Sequence, residues 1–217
     1  MEEKVRKMPV IHFIQQISNN NAGLLILEIT ESAEEMLIQF GKFDIYAEDY
    51  SKINSEKRKS EFLGVRLALK ALLGEFFLIS YNVEGKPFLT DKGFNISISH
   101  SGKWIVVMAH RSRLVGVDIE CPSDKIQKIY KRFLSETEQE ELSQGKNSKQ
   151  LQIAWSVKEA LYKIVGKQAV DFATQLYIYP FETKIEGEII AKHVLSNTIY
   201  KLYYIQNKDY TLVYCLV

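Results

Sequence analysis

Apolar positions along the chain change period several times, and each change predicts an element. Leu24-Leu25-Ile26-Leu27-Glu28-Ile29 is a nearly continuous apolar run, the pattern of a buried strand. Thr30 and Ser32 stand where a helix cap belongs, ahead of Met36, Leu37 and Phe40. Over 54–73, Phe62, Val65, Leu69 and Leu72 fall on one helical stripe, and Gly74 is a C-terminal stop. Residues 76–83 read as a strand and Glu84-Gly85-Lys86-Pro87 as a turn. Two strand-like runs, Asn95-Ile96-Ser97-Ile98-Ser99 and Trp104-Ile105-Val106-Val107-Met108-Ala109, flank His100-Ser101-Gly102-Lys103, which predicts a hairpin. Residues 114–120 form a further strand. Ser135-Glu136-Thr137-Glu138 has the spacing of a capping box and starts a helix. A second long helix covers 150–165 and stops at Gly166. From Leu176 onward the chain reads as strands, with a hairpin through Asn207-Lys208-Asp209.

The order strand, helices, strands occurs twice. Gly64-Val65-Arg66-Leu67-Ala68-Leu69 sets against Ser156-Val157-Lys158-Glu159-Ala160-Leu161, and Leu27-Glu28-Ile29-Thr30 against Val117-Asp118-Ile119-Glu120. The hairpin around Gly102 resembles the one around Lys208. The expectation is an α+β fold of two similar halves, 1–112 and 113–217, with a ligand cleft between them. Chance likeness between apolar helices and strands is the competing account.

Composition narrows the function classes. The chain of 217 residues has 28 Lys and Arg against 27 Asp and Glu, a formal charge of +1, so nothing global points to nucleic acid. Anion recognition must therefore be local. Two cysteines, Cys121 and Cys215, are too few for a disulfide scaffold and lack zinc spacing. The start, Met1-Glu2-Glu3-Lys4, has no apolar leader, and no apolar run approaches the ~20 residues of a membrane helix. A cytoplasmic protein without membrane attachment is expected.

Two elements carry candidate chemistry. On the strand at 114–120, Val115, Val117 and Ile119 face one way and Gly116, Asp118 and Glu120 the other. Two carboxylates projecting together repel unless a cation lies between them, and Mg²⁺ is the natural hard ion for such a pair. Read alone, the pair also fits a solvated helix or strand face, as at Glu136 and Glu138. On the helix at 150–165, Ile153, Val157, Ala160, Leu161 and Ile164 gather on one side. Trp155, Lys158, Glu159, Tyr162 and Lys163 gather on the other. Glu159 and Lys163 are one turn apart, which also fits an exposed ion-paired face; an aromatic among them looks more like the wall of a cleft. Together Asp118, Glu120 and Glu159 form a carboxylate set, with Lys158 and Lys163 as cations for phosphate oxygens, the inventory of metal-assisted phosphoryl transfer.

At these residues the sequence resembles the 4′-phosphopantetheinyl transferases. Gly116-Val117-Asp118-Ile119-Glu120 and Trp155-Ser156-Val157-Lys158-Glu159-Ala160-Leu161-Tyr162-Lys163 resemble the paired family patterns (V/I)-G-(V/I)-D-(I/V)-E and W-x-x-K-E-(A/S)-x-x-K. Gly85-Lys86-Pro87, the segment from Ile96 through Trp104, and Arg58 with Glu61-Phe62-Leu63-Gly64-Val65-Arg66 resemble further family segments. The length is similar to the Sfp-type branch, a pseudodimer in one chain, rather than the short trimeric carrier-protein synthases. The resemblance implies transfer of the phosphopantetheine arm of coenzyme A to a serine of an apo acyl or peptidyl carrier protein, releasing adenosine 3′,5′-bisphosphate. It implies Mg²⁺, with Mn²⁺ as the alternative, on Asp118, Glu120 and Glu159. It further implies Glu159 as base, Lys163 at the departing phosphate and Lys158 at the pyrophosphate. Ser99 and His100 would hold the 3′-phosphate, Lys86 and Arg58 other nucleotide or phosphate oxygens, and Gly85 and Pro87 the adenine. Lys57, Lys59 and Arg66 compete with Arg58. His12, His110 and His193 receive no role. A monomer is expected, docking its carrier near 126–133 and the helix after Ser135. The alternatives are a metal-dependent phosphohydrolase, which would not need the Ser99-His100 and Gly85-Lys86-Pro87 segments, and a non-catalytic coenzyme A or carrier-binding module, which would not need the intact acid set.

Overall fold

A computed structural model describes residues 10–18, 22–38, 40, 43–90, 93–142, 147–166 and 170–217. The first residues, read above as free of an apolar leader, lie outside that set, as does the side chain of His12. The chain runs β1 (Val10–Ser18), β2 (Ala22–Glu28), α1 (Ala33–Leu37), α2 (Asp44–Ser51), α3 (Glu56–Leu73), β3 (Ile79–Tyr81), β4 (Pro87–Leu89), β5 (Asn95–Ser101) and β6 (Trp104–His110). It continues with β7 (Val115–Glu120), α4 (Ile126–Ile129), α5 (Glu136–Glu141), α6 (Ser148–Val165), α7 (Phe172–Gln175), β8 (Leu176–Ile178), β9 (Glu186–His193), β10 (Thr198–Gln206) and β11 (Thr211–Leu216).

The strands make two antiparallel sheets, ordered β1-β2-β6-β5-β4-β3 and β7-β11-β10-β9-β8. Remove the edge strand β1 and the orders coincide: first strand, last strand, then backwards through the hairpins. Each first strand pairs with its own last strand, and one long helix packs on each such pair, α3 on β2 and β6, α6 on β7 and β11. The fold is α+β with two similar halves, and the internal sequence correspondence falls on these equivalent elements.

Local chemistry sets the helix ends. Ser32 and Ser135 close capping boxes with Glu35 and Glu138. Ser55 and Asn147 cap α3 and α6, and Gly74 ends α3 at φ 89°, a left-handed value that glycine adopts freely. The expected strand at 76–83 is only Ile79–Tyr81, because Phe77 turns into the core of the first half ahead of it.

Three apolar layers result. Leu25, Leu27, Ile105 and Val107 pack under α3. Val157 and Leu161 of α6 pack on Ile189, Leu202 and Val213. Between the sheets, Leu24, Ile26, Val106 and Met108 meet Val115, Val117, Ile119 and Leu212. All seven residues of β6 are buried, so its unbroken apolar run reflects coverage on both faces. The other face of β7 receives α6. A Cβ at Gly116 would collide with the Ala160 carbonyl oxygen and lie 2.8 Å from Ile164 Cγ1, so glycine sets how closely the helix approaches the strand. No helix among the described residues is long and apolar enough to cross a membrane.

Candidate active site

A cleft of about 750 Å³ opens between the halves. Asp118, Glu120, Glu159, Tyr162 and Lys163 line it from the second half. Arg58, Glu61, Phe62, Arg66, Gly85, Lys86, Pro87, Ser99 and His100 line it from the first. All residues expected at the site reach this cleft except Lys158.

The alternation of β7 aims Asp118 and Glu120 at α6, as the pattern predicts. On α6, Trp155, Glu159 and Lys163 stand four residues apart on one face. The Trp155 indole N–H donates to Glu120 Oε1 at 3.0 Å. At the other end Lys163 Nζ donates to Asp118 Oδ1 at 3.0 Å and to the Val117 carbonyl at 2.7 Å. The helix therefore runs antiparallel to β7, and Glu159 stands midway between its two anchors.

Burial governs the electrostatics. It pushes the Glu159 carboxyl up to about 7, with the Asp118 charge adding to the rise and Lys163 opposing it. Glu120 is also raised, first by burial and then by Asp118, against the hydrogen bonds from Trp155 and Ser101. Among the described residues no three His, Cys, Asp or Glu side chains are gathered as closely as the ligands of one ion. The donor set still suits a hard cation. Oδ2 of Asp118 is buried with no hydrogen-bond partner, beside Glu120 and Glu159, whose pKa values burial and the Asp118 charge raise. Asp118, Glu120 and Glu159 are the carboxylates that line the cleft from the second half.

The first half supplies a cationic wall. Glu61 of α3, only 8% exposed in its side chain, pairs with Arg58 at 3.3 Å, Lys57 at 3.7 Å and His100 Nδ1 at 3.4 Å. Burial lowers the His100 pKa, with Glu61 opposing. Burial also lowers Lys86, which follows Gly85 at φ 77° in a turn held by two N–H donations to Asn82 Oδ1. Arg66 is nearly buried, stacked over the Phe62 ring at 3.2 Å, and its Nε has no partner. Burial lowers this guanidinium to about 10. It makes no ion pair among the described residues, so its charge is available to an anion in the cleft.

Two expected roles change. Lys158 does not face the cleft. Its Nζ is fully buried, 2.8 Å from Glu138 Oε2 and within 2.8 Å of the Phe172 and Leu176 carbonyls. Burial lowers it to about 8, against the pull of Glu138. On the helical wheel Lys158 is the neighbour of Glu159, about 100° away, enough to turn it from cleft to core. Ser99 and His100 are consecutive on a strand and so face opposite ways. His100 meets Glu61, but the Ser99 hydroxyl donates to Asp118 Oδ1 at 2.8 Å, which commits its proton to a carboxylate rather than a phosphate. His110 caps the 111–113 turn, with Nδ1 accepting from the Ser112 and Arg113 N–H groups. Sequence reasoning missed Glu61 and Ser101 as organisers. The only available signal was their place inside the segments that carried the resemblance.

Comparison with known proteins points to one family. Residues 114–215 match the family described as the 4′-phosphopantetheinyl transferase superfamily. The chain is 32% identical over 138 residues to 4′-phosphopantetheinyl transferase gsp of Aneurinibacillus migulanus, covering 54% of this chain and 57% of that one. It is 41% identical over 97 residues to a 4′-phosphopantetheinyl transferase of Bacillus subtilis, covering 41% and 42%. With 4′-phosphopantetheinyl transferase Sfp of Bacillus subtilis strain 168 it shares 40% over 84 residues, covering 37% and 36%. The chain thus spans roughly half or less of the length of these relatives. The matched stretch runs from the start of β7 to near the end of β11 and contains Asp118, Glu120, Glu159 and Lys163, and over it the chain is similar to the 4′-phosphopantetheinyl transferase superfamily.

Proposed function

We propose that this protein transfers the 4′-phosphopantetheine arm of coenzyme A to a serine hydroxyl of an apo acyl or peptidyl carrier protein and releases adenosine 3′,5′-bisphosphate. The observation that carries this reading is the single cleft in which an acid pair, Glu159 and Lys163 face His100 and the cations Arg58, Arg66 and Lys86. An acid set alone would also suit a hydrolase. The cationic wall fits a long, multiply phosphorylated nucleotide.

Asp118, Glu120 and Glu159 would hold Mg²⁺, or Mn²⁺. When bound, the ion supplies neutralisation of charge at the pyrophosphate oxygens. The unpartnered Asp118 Oδ2 supports that assignment. His100 and Arg58, gathered on Glu61, would take the 3′-phosphate together with Arg66. Lys86 would pair with phosphate oxygens, and Gly85 and Pro87 would border the adenine. The serine oxygen attacks the phosphorus that bears the pantetheine arm, and the bond from that phosphorus to the departing bisphosphate breaks. Glu159 takes the serine proton, directly or through a water. A water relay is easier for a carboxylate that also binds metal. Lys163 stabilises the charge left on the departing phosphate. The reading includes a cytoplasmic monomer, halves at 1–112 and 113–217, and a carrier docked near α4 and α5.

The test is intact-protein mass spectrometry of an apo acyl carrier protein, and separately an apo peptidyl carrier, incubated with this protein, coenzyme A and Mg²⁺. A gain of one phosphopantetheine mass, lost in EDTA, is expected. No gain on either carrier, from folded protein that still binds coenzyme A, would favour a binding module instead.

A further inference from the structure

The sheets meet where β5 passes β7, and these two strands share no ladder because they belong to different sheets. Serine hydroxyls join them instead. Ser97, Ser99 and Ser101 alternate along β5 and therefore share a face. Ser97 Oγ accepts from the Val117 N–H at 3.0 Å. Ser99 Oγ donates to Asp118 Oδ1 at 2.8 Å, and Ser101 Oγ donates to Glu120 Oε2 at 3.0 Å. Ser101 Oγ also accepts from the Cys121 N–H at 3.1 Å, which occupies one of its lone pairs and aims its proton at Glu120.

Each carboxylate is consequently held from both halves. Asp118 receives Ser99 from β5 and Lys163 from α6; Glu120 receives Ser101 from β5 and Trp155 from α6. Hydrogen bonds to an ionised oxygen are short and directional, so two donors from opposite sides fix a carboxylate's rotation as well as its place. We propose that Ser99 and Ser101 are positioning residues that orient Asp118 and Glu120 for a divalent cation, so that the first half sets the metal affinity of ligands carried by the second. The inference rests on the metal reading above. Ser97 makes the same kind of bridge to a backbone N–H and touches no carboxylate, which provides an internal control.

The experiment is Mn²⁺ binding to the full chain by electron paramagnetic resonance, with coenzyme A present, for wild type, Ser99→Ala, Ser101→Ala and Ser97→Ala, alongside melting temperatures. Partners one step beyond the ligands typically govern affinity by about 10–100-fold, so Ser99→Ala and Ser101→Ala should each weaken Mn²⁺ binding by about tenfold or more. Ser97→Ala should keep wild-type affinity whatever its melting temperature. Unchanged affinity in both carboxylate-facing variants overturns the inference, and so does an equal loss in Ser97→Ala, which would make the effect one of strand contact. Wild-type protein that takes up no Mn²⁺ overturns the metal assignment itself, and this inference with it.

Discussion

At Glu159 burial and the Asp118 carboxylate both favour the neutral acid, while Lys163, one turn on, favours the ion. The balance near 7 leaves the group able to take and give a proton at neutral pH, the condition for a general base. It also ties stability to pH. A carboxyl raised from 4.5 to about 7 on folding adds stability that is full below pH 4.5 and is lost as pH rises through about 7. Glu159→Gln should therefore cut carrier modification by roughly 10²–10⁴-fold and, in EDTA at pH 8, raise the melting temperature by roughly 2–4 °C. Thermal melts of both proteins from pH 4.5 to 8 check this. A wild-type curve that runs parallel to that of the variant would show an ordinary carboxyl. Arg66 and Glu61 illustrate how residues act by enclosure. Both are charged groups on the buried side of α3, where Glu61 gathers Arg58, Lys57 and His100 while Arg66 lies over the Phe62 ring.

At the scale of elements, α6 is held in place by a pair buried on its far side from the cleft. Glu138 accepts from the Ser135 N–H and hydroxyl, from the Ile178 N–H and from Lys158, so one carboxylate joins the start of α5, the middle of α6 and the strand β8. Removing one member of a buried pair strands the other, at a cost of about 3–5 kcal/mol. Lys158→Met should lose about that much in urea unfolding. Full stability with lost turnover would return Lys158 to the cleft. The two elements that line the cleft from the second half were legible because their spacing is geometric: alternation aimed Asp118 and Glu120, and fourfold spacing aligned Trp155, Glu159 and Lys163. Lys158 was placed on the cleft side although the wheel sets it about 100° from Glu159, and its buried partner Glu138, twenty residues away, had no spacing to announce it. The polar helix α2 and the short β4 escaped notice for a related reason. Neither has an apolar period of its own, and tertiary contacts such as the Tyr46 hydroxyl to the Phe77 carbonyl hold α2 in place.

At the scale of the whole molecule, the layer between the sheets belongs to neither half alone. Separating them would expose Leu24, Ile26, Val106 and Met108 on one side and Val115, Val117 and Ile119 on the other. Trp104 joins the same layer, edge-on to Tyr210 across the junction at 5.0 Å. The chain should unfold in one calorimetric transition, with matching calorimetric and van't Hoff enthalpies; two resolved transitions would mean that each half stands by itself. The repeated topology has a further consequence. Where the second half carries Asp118 and Glu120, the first carries Glu28 and Thr30, and Glu28 is engaged by Lys103. Where α6 offers Trp155, Glu159 and Lys163, α3 offers cations and an organising acid. The second half carries the acid set and the first its cationic counterpart, on the same topology. Among the described residues this chemistry is furnished once, so the proposed function expects one nucleotide per polypeptide at saturation.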